Sequence, residues 1–209
     1  MQVTIPQSTI KAVAYAMAAN DIRYYLNGML LQHNGEETRL VATDGSRLNA
    51  ARIEHKDGIL CDPIEVIIPD MLIKVICKAK APRHDKSRMI TLTIDGDKVS
   101  SAMPDGTESV AKAIDGRFPD YSRVIPESFS GESAQYNPKY MMDAVDSIRT
   151  YWGNNGATPG FCYNGTNAGG ISVDGFVAIA MPWRADVCDS SAAWAKAEML
   201  KPEKSESVA

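Results

Sequence analysis

The sequence is poor in the residues that build metal and redox centres. Its four cysteines stand far apart, at positions 61, 77, 162 and 188. No two of them form a CxxC pair or a zinc knuckle, and scattered thiols suit a reduced, cytoplasmic setting. The three histidines, His33, His55 and His84, are dispersed through polar context, which excludes the close ligand spacing of a metal site. No cofactor is expected. There is also no excess of positive charge: 22 Lys and Arg stand against 26 Asp and Glu, a formal charge of −4. A role on nucleic acid therefore needs a local basic surface on an acidic body. No apolar run is long enough to span a bilayer, so no membrane is expected among the partners. The opening "MQVTIPQSTI" has no basic region and no long apolar stretch, and does not read as a signal peptide. No Ser/His/Asp arrangement, phosphate loop or carboxylate pair stands out, so the chain is not expected to be an enzyme.

What is present is a repeat. Within 209 residues of ordinary hydrophobic content, 44%, one or two domains are expected. "IPQSTIKAV" begins at Ile5, "IPDMLIKVI" at Ile68 and "YNPKYMMDAV" at Tyr136. In each, a short β-prone segment meets a proline and a helical pattern follows. Proline suits the first helical turn, where its missing N–H has no partner to lose. Apolar positions then recur at helical spacing: Ile10, Val13, Ala14 and Met17; Leu72, Val75 and Ile76; Met141, Ala144, Val145 and Ile148. After each helix come β-rich runs separated by turn signals such as Asn34-Gly35, Asp44-Gly45, Asp95-Gly96 and Asp174-Gly175. The pattern predicts an α+β protein of three β-α-β-β-β units, over about residues 2–54, 64–114 and 134–182. A repeat of this kind cannot bury its apolar face alone. Two units make an ordinary domain, and the third is left over.

Between the second and third units, "DGRFPDYSRVIPESFSGES" reads as a connector bracketed by Pro119 and Pro126. After Arg184, "ADVCDSSAAWAKAEML" reads as a helix capped by Asp189 or Ser190, and "KPEKSESVA" as disordered. The predicted organisation is a complete domain at 1–115, a connector at 116–133, a half-domain at 134–185 and a tail at 186–209.

The turn in "LVATDGSRLNAARI" carries more than a hairpin requires. Gly45 supplies the positive φ that an Asp-Gly turn needs. Asp44, Arg47, Thr43 and Leu48 around it have no such explanation. Together, "DIRYYLNGMLLQ…LVATDGSRLNAARI" and "DGRFPDYSRVIP" closely resemble the bacterial DNA polymerase III beta subunit family, the sliding clamps. "NPKYMMDAV…VAIAMPWRAD" resembles the last half-domain of that family. The resemblance covers about residues 2–185. It implies a clamp fold of β-α-β-β-β half-domains, helices on the inner face of a ring and sheets outside. It finds no counterpart of the family's first domain or of the first half of its third. Ser46 stands where the family commonly has histidine.

In the family, the "ATDGxRL" segment is a wall of a groove that captures short peptides from polymerases and other clients. By position the resemblance implies a groove of Leu26, Thr43, Gly45, Ser46, Arg47 and Leu48; of Pro119, Arg123 and Val124 from the connector; and of Asn137, Tyr140, Ile179, Met181, Pro182, Trp183 and Arg184 from the third unit. Ser46 and Trp183 alter the pocket. Leu26, Val124, Ile179, Met181 and Pro182 can form an apolar floor, and Arg47, Asn137 and Arg184 can hold carbonyls. Without the resemblance the same residues read rather as core and solvated arginines. For DNA, the resemblance implies weak phosphate contacts from channel-facing helices: Lys74, Lys78, Lys80 and Arg83 in and after the second helix, Lys139 and Arg149 in the third, and the loop residues Tyr24 and Tyr25. The implied partners are double-stranded DNA without sequence preference and DNA polymerase or other clamp-binding proteins, with room for a clamp loader. The orphan third unit, expected to have an uncovered helix face and an open sheet edge, points to a homo-oligomer. The family closes its ring with twelve half-domains, which a tetramer of three-unit chains would supply. Two readings stay open: a small encircling processivity clamp, and a non-encircling module that recruits or competes for clamp clients.

Overall fold

A computed structural model describes residues 1–55, 58, 62–80, 88–153 and 159–183. Strand β1 (Gln2–Pro6) leads directly into helix α1 (Gln7–Ala14), and β5 (Ile64–Pro69) into α2 (Asp70–Lys78). Three strands follow each helix: β2 (Gly28–His33), β3 (Glu37–Thr43) and β4 (Arg47–Glu54) after the first, and β6 (Met89–Asp95), β7 (Lys98–Ala102) and β8 (Glu108–Lys112) after the second. Helix α3 (Pro138–Trp152) precedes β9 (Gly169–Val173) and β10 (Phe176–Ala180). The second helix buries Leu72, Ile73 and Ile76, whereas Val75, expected inside, is 38% exposed.

The two complete units exchange their first strands. β1 pairs with β6 of the second unit, and β5 pairs with β2 of the first. The result is one antiparallel sheet ordered β1-β6-β7-β8 and another ordered β5-β2-β3-β4-β10-β9. Neither unit can close its sheet without the other, which is why the repeat comes at least as a pair. A bridge between Ile67 and Ile114 ties the edges of the two sheets together.

The third unit departs from the expected pattern. Residues 134–137 form no strand, and the run around Cys162 is reduced to a single bridge with Gly170. In the first two units the leading strand finds its ladder in the sibling unit's sheet, and among the described residues the third unit has no sibling. The expected uncovered helix face is also corrected. Helix α3 lies against α1, burying Ala144, Ser147 and Ile148, and β10 pairs with β4 along Phe176–Ala180. The expected tail helix and disordered end lie outside the described residues.

Helices and inner sheet faces enclose the main core, with Ile5, Ile10, Met29, Leu31, Leu40, Ile68, Leu72 and Ile76 at most 2% exposed. A second apolar cluster lies on the other face of the six-stranded sheet. It contains Leu26, Leu30, Val41, Leu48, Ile67, Phe118 and Ile179, with Tyr121, Ile125 and Phe129 of the connector packed on it. Tyr121 fastens the connector by donating to Gln32 Oε1 at 2.7 Å.

At the far end of this sheet, the Thr38 hydroxyl lies 2.9 Å from His33 Nδ1 and 2.8 Å from His55 Nε2. One hydroxyl proton serves two rings, so one imidazole accepts it and the other donates its own. Burial, and then the neighbouring His33, push His55 below its ordinary value of 6.5. Neutral His55 is thus the form the fold favours. Its contribution is present above pH 6.5 and lost as pH falls below that value. The melting temperature should fall between about pH 7 and about pH 5.5, and His55→Gln should flatten that slope. Thermal melts of both proteins across this range check it.

Candidate functional site

The Asp-Gly turn between β3 and β4 is built as the sequence requires. Gly45 has φ +92, and a side chain there would also meet the Arg23 guanidinium. Asp44 Oδ1 accepts from the backbone N–H of Ser46 at 2.9 Å and of Arg47 at 3.1 Å. The Thr43 hydroxyl donates to the Arg47 carbonyl at 2.7 Å and accepts from Gly45 N–H at 3.0 Å. The β4–β10 ladder runs on past its last strand pair, where Met181 N–H donates to the Ser46 carbonyl at 2.8 Å. That bond sets the end of the third unit beside the turn.

A cavity of about 280 Å³ opens here, lined by Leu26, Thr43, Gly45, Ser46, Arg47, Leu48, Pro119, Val124, Ile179 and Met181. All ten belong to the groove expected from the sequence. Arg123 lines an adjoining cavity of about 350 Å³ that shares Val124 and Met181 with the first. Asn137 caps α3, its Oδ1 accepting from Lys139 N–H at 3.0 Å. Trp183 is 63% exposed, and its backbone N–H donates to the Gln135 carbonyl at 2.5 Å. Pro182 joins Met181 to Trp183. Arg184 lies outside the described residues. Arg23, Tyr25, Asp120 and Tyr121 also line the cavity. Tyr25 was expected on the DNA side, and the other three were not expected at all. Arg23 lies two residues before Tyr25 in the quoted "DIRYYL", but nothing in its spacing says that it reaches Gly45.

Among the described residues the arginines of the site already have partners, and Arg47, expected to be able to hold a carbonyl, is met by two carboxylates. Arg47 Nε donates to Asp44 Oδ2 at 2.8 Å, and its Nη1 donates to Asp143 Oδ2 of α3. Its guanidinium carbon sits 4.8 Å from the centre of the Tyr140 ring. Tyr140 therefore touches the site through Arg47. Asp143 follows Tyr140 by three residues, which puts both on one helix face. Arg23 makes a two-pronged contact with Asp21, at 3.0 and 2.8 Å, and its Nη2 donates to the Asp44 carbonyl at 3.0 Å. The Arg23 side chain and backbone N–H hold the Asp21 carboxyl down to about 2.

The described lysines expected to face DNA lie on exposed surface. Helix α1 packs on both α2 and α3. Lys74, Val75, Lys78 and Met71 form the exposed side of α2, with Lys74 paired to Asp70. Lys80 and Lys139 are exposed, and Arg149 pairs with Asp146 at 3.6 Å. Tyr24 is 57% exposed. Arg83 lies outside the described residues. Among the described residues no group of three His, Cys, Asp or Glu is placed to hold a metal ion, and no helix is long and apolar enough to cross a membrane.

These features define a clamp-type fold with a groove where two of its parts meet, and comparison with known proteins agrees on the fold. Residues 2–120 match the family of the DNA polymerase III beta subunit, central domain. The chain is 34% identical over 142 residues to the beta sliding clamp of Escherichia coli K12, covering 61% of this chain and 34% of that one. It is 32% identical over 148 residues to that of Pseudomonas aeruginosa, covering 69% and 39%. The chain thus spans about a third of the length of the curated relatives it matches. Among solved structures, the P. aeruginosa DNA polymerase III beta subunit superposes with TM-score 0.69 at 20% identity, covering 88% of this chain and 67% of that one. A putative beta subunit from Eubacterium rectale gives 0.70 at 15%, covering 88% and 65%. The chain belongs to the DNA polymerase III beta subunit family.

The groove residues differ in what they carry structurally. Leu48 is 3% exposed and part of the second apolar cluster, whereas Met181 and Val124 are each 42% exposed. Leu48→Asp should cost more than about 3 kcal/mol, because it buries an unpaired charge. Met181→Asp should stay within about 1 kcal/mol of the parent, because the new charge reaches water. Denaturant melts distinguish the two.

Proposed function

We propose that the chain is a clamp-like protein whose groove captures short peptides of DNA polymerase and other replication or repair proteins. The observation that carries this reading is the cavity of about 280 Å³ with an apolar floor of Leu26, Val124, Ile179 and Met181. Its walls come from the β3–β4 turn, the connector and the end of β10, so it exists only in the assembled chain. An apolar floor with polar groups at the rim suits a peptide that inserts side-chain anchors. Met181, being flexible, suits more than one client. The family relationship supports the same reading. Residues 1–115 serve as a complete clamp domain, 116–133 as the connector that roofs the groove's apolar cluster, and 134–185 as the half-domain that closes it.

On DNA the chain acts through weak, sequence-independent phosphate contacts. The exposed Lys74 and Lys78 of α2, with Lys80 and Lys139, are the cations offered for them. Encircling DNA requires several copies, and a tetramer of three-unit chains is the ring we favour. A second reading, a non-encircling module, gains support from α3 and β10, whose partners lie within the same chain. Its docked third unit needs no second copy to cover its helix.

Fluorescence anisotropy with labelled client peptides tests the groove. Binding should weaken at least tenfold in Met181→Glu, since a central anchor contact is lost. Equal affinity in the folded variant rules the groove out. Light scattering separates the two assembly readings: a tetramer supports the ring, and a monomer at high concentration supports the module. In a ring, charge reversal at Lys74 and Lys78 should reduce retention on circular DNA and flatten its salt dependence. Retention that depends on one base sequence would contradict it.

A further inference from the structure

The groove presents three arginines among the described residues, and each is met by a carboxylate. Arg23 is paired with Asp21, Arg123 with Asp120 at 3.0 Å, and Arg47 with both Asp44 and Asp143. Arg47 is the most enclosed of them, its side chain 14% exposed against 46% for Arg23 and 83% for Arg123. Its two carboxylates differ in origin. Asp44 belongs to the same turn and is needed there, because its other oxygen accepts the turn's backbone N–H groups. Asp143 comes from α3, 96 residues away in sequence, and makes no contact that the turn requires. One guanidinium facing two carboxylates leaves this part of the wall with a local charge of about −1.

We infer that Asp143 is a specificity-determining residue of the groove. By cancelling Arg47 from the far side, it makes this wall favour peptides that are uncharged where they meet it and disfavour acidic ones. The inference rests on the reading of the cavity as a peptide site. Asp143 acts through Arg47, which lines the cavity, and is therefore a positioning residue with an electrostatic effect. It holds Nη1 toward α3 and away from a ligand carbonyl or carboxylate. Removing its charge leaves Arg47 balanced against Asp44 alone, with donors to spare.

The experiment uses the full chain and two labelled peptides, both blocked at their ends. One is a short sequence of Leu, Ser and Gln without charge, and its twin has one Ser replaced by Asp. The quantity read is the ratio of their affinities, at low and at high salt. The parent should favour the neutral peptide. Asp143→Asn should move the ratio about fivefold toward the acidic peptide at low salt, with the gain shrinking as salt is added. Asp143→Glu should return the ratio toward the parent value. A general loosening of the fold would weaken both peptides together and leave the ratio unmoved, so a ratio within twofold of the parent in Asp143→Asn overturns the inference. A parent that prefers the acidic peptide overturns it as well. Met181→Glu runs alongside. If it abolishes neutral-peptide binding while the Asp143→Asn ratio stays put, the groove stands and the role of Asp143 falls. If it leaves neutral-peptide binding intact, the groove itself falls.

Discussion

The antiparallel ladder between β4 and β10 is the interaction on which the rest of the structure depends. It matches Phe176 with Ala51 and Ala180 with Arg47, so a segment near residue 180 lies along one near residue 50. Side chains alternate along a strand. Ile179 therefore faces outward with Leu48 and Val41, while Phe176 and Ala178 face the main core. A slip of one residue would turn Ile179 into the core and remove the groove floor. The glycines of β9 serve the neighbouring ladder between β9 and β10. A side chain at Gly170 would overlap the carbonyl of Ala178, and one at Gly169 the Tyr136 hydroxyl. The third unit closes on itself this tightly because β9 begins with two residues that have no side chain.

The connector gives the six-stranded sheet a second cover. Sheets with one wet face alternate apolar and polar residues, whereas doubly covered sheets read as nearly continuous apolar runs. "GMLL" in β2 and "LVA" in β3 are such runs: Met29, Leu31, Leu40 and Ala42 face the helices, and Leu30 and Val41 face Phe118 and the connector. The groove lies where this cover ends. Its apolar floor is the edge of a core that the connector leaves partly open.

Charge inside the site is handled by pairing. A guanidinium removed from water costs several kcal/mol unless its donors are met. Arg47 is met by a carboxylate from its own turn, another from α3 and the face of Tyr140. Buried pairs of this kind contribute geometry more than net stability. Here the geometry joins the turn that walls the groove to the helix that the third unit brings, so the wall's shape and the docking of that unit are coupled.

Much of this was legible in the amino-acid sequence. The prolines before each helix, the apolar spacings and the Asp-Gly turns locate the repeats, because these signals act over a few residues and need no distant partner. The quoted motifs carried the family and most of the groove lining. Local pattern failed where the outcome depended on something far along the chain. The β-prone residues 134–137 formed no strand, since a strand needs a ladder and the described residues pair none with them. Val75 fits an apolar helical spacing but faces outward, because neighbouring elements decide which side of a short helix is buried. Asp143 carries no local mark of its contact with Arg47, because an ion pair across 96 residues is created by docking alone. The sequence by itself determined the elements and the residue types able to line a groove. The tertiary structure decided which charges face each other across it, since electrostatic pairing depends on distance in space and not on separation along the chain.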